Sequence, residues 1–174
     1  MIISIKTKDL KKNQILSICK LKNTYWRWTI TKQFEWFKKT SAKNDINNML
    51  IINKELVGYT LLRKRKASEN NKFFFYYYLD SMVLHKKIRK KGFGKILMLF
   101  NNKILINLKK HAFLTCTKET VPFYSKHDWK LLNKNKFKII DHVPTWFSKK
   151  LSLNGMTYNL DKSIKKKIYY KLNK

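Results

Sequence analysis

Hydrophobic positions recur with two different periods along this chain, and the periods divide it into elements. Residues 8–22, KDLKKNQILSICKLK, place Leu10, Ile15, Leu16 and Cys19 near the spacing of an amphipathic helix. Asp9 falls in its first turn, where a carboxylate favours the helix dipole. The stretch 30–40, ITKQFEWFKKT, predicts a second helix with Thr29 or Thr31 as its cap. Residues 48–53 (NMLIIN) and 56–63 (LVGYTLLR) predict strands joined by a short hairpin connection, and 66–72 (KASENNK) reads as a polar turn. FFFYYYLDSMVLH, 73–85, is too aromatic and β-branched to prefer a helix and predicts a long central strand. The period then changes: Ile96, Leu97, Leu99, Phe100, Ile104 and Leu108 outline a helix of about 94–109. AFLTCT at 112–117 predicts a short buried strand. ETVPFYSKH at 119–127 predicts a short helix with Pro122 in its first turn. WKLLN and GMTYNL read as closing strands, and KSIKKKIYYKLNK as a basic amphipathic tail or frayed helix.

This order gives an α/β (mixed α+β) fold class. A strand, a turn, a helix and a second strand around residue 92 imply one parallel pair formed by a right-handed crossover. A length of 174 residues fits one domain, expected over 1–162, with a basic tail at 163–174. No internal repeat or linker interrupts it.

Composition changes the picture in one respect. Lys and Arg total 40 against 10 acidic residues, a formal net charge of +30. Such a charge favours a polyanion partner. Nearly all of it is lysine, however, the arginines being Arg27, Arg63, Arg65 and Arg89. Lys, Asn and Ile share A/T-rich codons, so genome base composition accounts for much of this surface, and no specific nucleic-acid partner is expected. Cys19 and Cys116 lie in apolar contexts without metal-ligand spacing, which implies reduced core thiols. The N-terminal stretch lacks an apolar signal region and no apolar run reaches membrane-span length, so a cytoplasmic location is expected; the cysteine spacing leads to the expectation of no metal.

The chain holds 4 glycines, and Gly92 and Gly94 stand two apart inside IRKKGFGK. A glycine turn between strand and helix presents backbone N–H groups at a helix N-terminus, which attract phosphate. Lys86, Lys87, Arg89, Lys90, Lys91 and Lys95 add positive field around it. The dinucleotide fingerprint fails, because position 97 is leucine, and the P-loop pattern fails also. What remains is R-x-x-G-x-G, from Arg89 to Gly94; its plain alternative is a turn whose glycines serve helix–strand packing.

MVLHKKIRKKGFGKILM followed, some thirty residues later, by PFYSKHDWKLL resembles the GNAT superfamily of acyl-CoA-dependent N-acyltransferases in motif, order and spacing, over about 48–133. The resemblance implies a central mixed sheet with one splayed parallel strand pair, flanked by helices, and acetyl-CoA as cofactor. It places pantetheine on the backbone of Met82, Val83 and Leu84, and pyrophosphate on the turn formed by Arg89, Lys90, Lys91, Gly92, Phe93, Gly94 and Lys95. It makes Tyr124 the proton donor to the departing thiolate, the plain reading of Tyr124 being a half-buried tyrosine with a wet hydroxyl. At Asp128 the family usually has glycine, so the chain departs from the pattern there.

Asp80 has the parity of Met82 and Leu84 and is the candidate base; it equally suits an ion pair with a lysine. Glu119 reads as a dipole-complementing cap, and His85 as solvated or phosphate-facing. His127 ends the short helix. The resemblance puts the acceptor site in the first helices, where Trp26, Trp28 and Trp36 either enclose the acceptor or anchor helix to sheet. The activity implied is N-acetyl transfer to a primary amine of a small molecule, a nucleotide-linked amino sugar being one candidate. A protein or peptide amine is the alternative acceptor, and a basic nucleic-acid-binding module retaining the fold is the alternative function.

Overall fold

The computed structural model describes residues 1–140, 153–160, 164 and 166–172. Chain order is β1 (Ile2–Lys6), α1 (Lys12–Asn23), α2 (Ile30–Thr40), β2 (Ile46–Ile52), β3 (Glu55–Glu69), β4 (Lys72–Leu84), α3 (Phe93–Asn107) and β5 (Ala112–Cys116). There follow α4 (Val121–Ser125), β6 (Lys130–Leu131), β7 (Phe137–Ile139), β8 (Asn154–Tyr158) and β9 (Ile168–Tyr170). Two compact units result, one of Met1–Arg63 with Leu79–Asn101, the other of Lys64–Tyr78 with the described residues from Asn102 onward. Strands β3 and β4 and helix α3 contribute a segment to each.

In the first unit β1, β2 and β3 pair antiparallel, from Ile2↔Leu50 to Lys6↔Ile46 and from Ile46↔Leu62 to Ile52↔Glu55. Helices α1 and α2 supply Ile18, Cys19, Leu21 and Phe37 to a core with Met49, Tyr59, Leu61 and Val83. A separate cluster joins Leu50, Val57 and Leu97, with Met82, Leu84 and Phe93 packed against it. Burying each such aliphatic side chain contributes roughly 1.5–3 kcal/mol. Thr29 caps α2, its hydroxyl accepting from Lys32 N at 3.2 Å, as one of the two expected threonines.

In the second unit β4 and β5 run parallel through Tyr77↔Ala112 and Tyr78↔Phe113. β5 continues antiparallel to β8, and β8 to β6. β9 lies antiparallel to β3 and parallel to β7. Tyr76, Tyr78, Phe113, Ile168 and Tyr170 form the core, with Phe113 stacked on Tyr170 at 3.9 Å between centroids. Gly155 is demanded by close approach, since a Cβ there would stand 2.6 Å from the Phe137 ring. The sheet is mostly antiparallel with the expected β4–β5 parallel pair, flanked by helices.

Several elements differ from expectation for identifiable reasons. β1 was not anticipated: its five residues become a strand through pairing with β2, and Ile3 and Ile5 alternate onto the core. The first helix starts at Lys12, so Asp9 lies in a preceding 3₁₀ turn rather than in its first turn. β3 runs on to Glu69, and the polar turn contracts to Asn70 and Asn71, at φ 47° and 61°, the left-handed pair that a two-residue hairpin needs. On α3 the buried positions are Leu97, Met98, Asn101, Asn102 and Leu105, whereas Ile96 and Leu99 are exposed. That helix is apolar on most sides, so its apolar residues could not locate its inner face. Of the C-terminal tail, residues 168–170 form β9 with Ile168, Tyr170 and Leu172 buried; 162, 163, 165, 173 and 174 lie outside the described residues.

His111 fixes a pH limit for the second unit. Its Nε2 lies 2.7 Å from Tyr170 OH and its Nδ1 3.3 Å from Thr157 Oγ1, and burial pushes its pKa down to about 4. The unfolded chain, at about 6.5, therefore binds a proton that the folded chain refuses. Stability contributed by the neutral ring is full above pH 6.5 and falls as pH drops towards 4, by up to about 3 kcal/mol. Urea unfolding of wild type and His111→Gln across pH 4–7 should give curves that converge on acidification; parallel curves would contradict the assignment.

Candidate active site

The glycine turn forms where β4 hands over to α3 in the first unit. Lys90 and Gly92 take φ 61° and 82°, and Gly92 O accepts the first helical bond, from Ile96 N at 3.2 Å. Gly92 is thus the N-cap. The amides of Phe93, Gly94 and Lys95 occupy the first turn, where a helix offers N–H groups without intrahelical acceptors. A Cβ added at Gly92 would meet nothing within 4 Å, so the position is left open rather than filled by packing. Left-handed residues beside a helix N-terminus form an anion-binding concavity, and the residues present fit a pyrophosphate.

Arg89 braces this turn. Its Nε donates to Leu84 O at 3.0 Å and its guanidinium carbon lies 5.4 Å from the Tyr25 ring centroid. The loop between α1 and α2, which carries the candidate acceptor residues, is thereby tied to the cradle. One carbonyl of the Met82–Leu84 segment is also occupied by this bond. His85 N-caps the following 3₁₀ turn, its Nδ1 accepting from Lys87 N at 3.3 Å.

Asp80 does not share a face with Met82 and Leu84, contrary to the expectation from parity. Its Oδ2 accepts from Arg63 Nη2 at 3.0 Å and from Ser81 Oγ at 3.0 Å. Arg63 Nη2 also donates to Thr40 Oγ1 of α2 at 3.0 Å. Met82 and Leu84 pack instead with Leu97 and Phe93 of α3. Asp80 meets Arg63, which also reaches Thr40 of α2, and Val83, three residues on, packs in the α1–α2 core, so strict alternation does not hold between them. The partner of Asp80 is an arginine, where sequence pointed to a lysine.

Lys22 of α1, 6% exposed, completes this group. Its ammonium lies 5.5 Å from the Trp26 ring centroid. Burial pushes its pKa down, and the Asp80 charge opposes that shift. Trp26 packs against the α1–α2 core and contacts Tyr25 edge-on at 5.0 Å. Trp28 and Trp36 are half-buried and meet each other edge-on at 5.8 Å. Lys22 and Arg63 were missed in the sequence, although each is signalled there. Lys22 follows Cys19 by three on one helix face, and Arg63 continues the inward parity of Tyr59 and Leu61.

In the second unit, Tyr124 sits half-buried on α4 with its ring 6.4 Å from that of Trp129. Its carbonyl accepts from His127 N at 2.9 Å and Trp129 N at 3.3 Å, closing the helix. Asp128 takes φ 65°, the left-handed position that glycine usually fills in the resembled family. Buried Asn102 secures the loop: its Nδ2 donates to His127 O at 2.9 Å and its Oδ1 accepts from Trp129 Nε1 at 3.0 Å. An asparagine within an apolar helix was the available signal for it. Glu119, fully exposed before α4, has its carboxyl held below the usual range by a hydrogen bond with Thr117. Among the described residues no group of His, Cys, Asp and Glu is placed to hold a metal ion, and no helix is long and apolar enough to cross a membrane.

Comparison with known proteins identifies the family and the fold. A family model described as an acetyltransferase (GNAT) domain matches residues 9–145. The chain belongs to the GNAT family of acyl-CoA-dependent N-acyltransferases. Its fold is similar to an acyl-CoA N-acyltransferase from Pseudomonas aeruginosa, at 11% identity and TM-score 0.65, covering 90% of this chain and 98% of that one. It is similar to an aminoglycoside 6'-N-acetyltransferase complexed with coenzyme A, at 12% identity and TM-score 0.64, covering 90% and 96%. It is similar also to the ribosomal-protein-S18-alanine N-acetyltransferase of Escherichia coli, at 11% identity and TM-score 0.62, covering 90% and 92%. No curated protein sequence matches the chain.

The backbone of the cradle predicts a graded response. Gly92→Ala meets no obstacle but forces a side chain into the left-handed region, at a cost of about 1–2 kcal/mol. Gly92→Asn, which tolerates that region, should lose less. Urea unfolding measures both, and an alanine variant as stable as wild type would refute the left-handed assignment.

Proposed function

We propose that this protein is an acetyl-CoA-dependent N-acetyltransferase of the cytoplasm, acting on a primary amine of a small molecule. The observation that carries the reading is the pair of left-handed residues, Lys90 and Gly92, at the start of α3. That geometry suits a pyrophosphate, and it falls inside the family match. In this reading the amides from Lys90 to Lys95 hold the pyrophosphate. Arg89, anchored on Leu84 O and Tyr25, keeps the turn in shape. Backbone groups of Met82, Val83 and Leu84 receive the pantetheine amides as an added strand would; the two-pair β4–β5 register is in keeping with a splayed pair.

Acetyl-CoA, when bound, supplies the thioester carbon that the acceptor amine attacks. The amine must shed a proton, and the sulfur must be relieved of charge. Asp80 is assigned to take that proton directly or through a water, with Arg63 fixing the orientation of its carboxylate. Tyr124 is assigned to donate its phenolic proton to the thiolate. Trp26, Trp28 and Trp36 are assigned to the acceptor side, where indole faces suit an aliphatic amine or the apolar face of an amino sugar.

Coenzyme A titration and thiol-release kinetics against a panel of amines, nucleotide-linked amino sugars included, test these roles. Arg89→Ala should weaken cofactor binding. Tyr124→Phe should lower turnover about 100-fold or more while leaving cofactor affinity nearly unchanged. Full turnover by Tyr124→Phe would remove the general-acid role, and absence of saturable coenzyme A binding would remove the enzyme reading.

A further inference from the structure

The second unit carries a sheet face that its core does not explain. Strands β7, β9, β3 and β4 are neighbours there, and their inner face packs Ile139, Ile168, Tyr170, Ala67, Tyr76 and Tyr78. The outer face of such a sheet is ordinarily polar. Here Phe73 is 79% exposed, Phe75 48% and Tyr169 38%. Register and ring contacts place Tyr169 and Phe75 each beside β3, and Phe73 has the strand parity of Phe75. Ser68 pairs with Tyr169, and Lys138 pairs with Tyr169 from the other side, so Lys138, Tyr169 and Ser68 share one face. Lys64 and Lys66 lie on that face of β3, with ammonium groups 4.7 and 5.8 Å from the Phe75 ring centroid. Their stems shelter Phe75 in part, which leaves Phe73 and Tyr169 unaccounted for.

We propose that this outer face binds single-stranded nucleic acid, with bases stacked on Phe73, Phe75 and Tyr169 and phosphates met by Lys64, Lys66 and Lys138. Flat aromatic rings interleaved with cations on an open sheet are what an unpaired strand requires, because every base has a stacking face and every linkage a negative charge. Charge complementarity selects this occupant. The face carries exposed rings with lysine ammonium groups beside them. A second copy would bring lysines against lysines, and an apolar peptide would offer these lysines no negative charge. The basis is placement, not composition: lysine alone is explained by solvation, whereas exposed rings between lysines are not. The proposal is independent of the acyltransferase reading, since none of these residues belongs to the cradle or to α4.

Fluorescence anisotropy with labelled rU12 and dT12 tests it, the two probes separating RNA from DNA, with coenzyme A binding measured on the same preparations. Wild type should bind single strands more tightly than a duplex of equal length. Phe73→Ala/Phe75→Ala should weaken binding by about tenfold or more. Phe73→Ser alone, at a mostly exposed site, should show part of that loss with an unchanged melting profile. Lys64→Gln/Lys66→Gln should reduce the salt slope by about 0.7 per lysine removed. Coenzyme A affinity should stay at the wild-type value throughout. Equal affinity for duplex and single strand, or a double phenylalanine variant that binds as wild type does, would overturn the proposal. So would a dimer in sedimentation that Phe73→Ser dissolves.

Discussion

The contact between Arg63 and Asp80 is the constraint on which the first unit is organised. Arg63 is 4% exposed, so its charge needs a fixed anion, and Asp80 on the neighbouring strand supplies it at 3.0 Å. Thr40 accepts from the same guanidinium nitrogen, which ties the end of α2 to the sheet. Breaking such a pair from one side costs about 3–5 kcal/mol, because the remaining charge stays buried without compensation. The pair is not a free gain, since Arg63 Nε is buried without a hydrogen-bond partner. The fold tolerates that cost, and the consequence is geometrical. Asp80 is turned to the α1–α2 side, the alternation of β4 breaks after it, and Met82 and Leu84 then face α3. The strand arrives at the cradle with its apolar side on the helix that the cradle begins.

This explains which parts of the structure were legible in the sequence. Elements fixed by local chemistry were readable: α2 with its Thr29 cap, the long strand of FFFYYYLDSMVL, and the glycine turn into α3. So was the left-handed demand at residue 128, where a departure from the family's glycine marked a position that Asp128 fills at φ 65°. Elements fixed by partners elsewhere in the chain were not readable. β1 and β9 are short segments that become strands only against β2 and β3. The orientation of Asp80 depends on a break in a period that sequence alternation assumes to be strict. The inner face of α3 was hidden for a related reason: it buries Asn101 and Asn102 while Ile96 and Leu99 face water. Each asparagine is inward because it has fixed partners, Asn48 and Thr60 for Asn101, Trp129 and His127 for Asn102.

The basic residues divide by chemistry in a way that net charge conceals. Arg63 and Arg65 are each 4% exposed, and Arg89 is half-buried. Each makes fixed contacts: Arg63 with Asp80 and Thr40, Arg65 with the carbonyls of Leu172 and Lys64, Arg89 with the carbonyl of Leu84. A planar guanidinium can serve several acceptors at set angles, which a solvated ammonium does not do well. At these three positions arginine serves partners of fixed geometry, whereas Arg27, like most of the lysines, is exposed. Lys22 is an exception among the lysines. It is a buried lysine, it lies over an indole rather than in an ion pair, and it stands near the carboxylate assigned to receive a proton. Two buried cations, Lys22 and Arg63, thus share the neighbourhood of one carboxylate, Asp80. Burial and the Arg63 charge both push the Lys22 ammonium towards its neutral form, and Asp80 opposes them, so the charge state of the buried lysine is set by the same ion pair that organises the sheet.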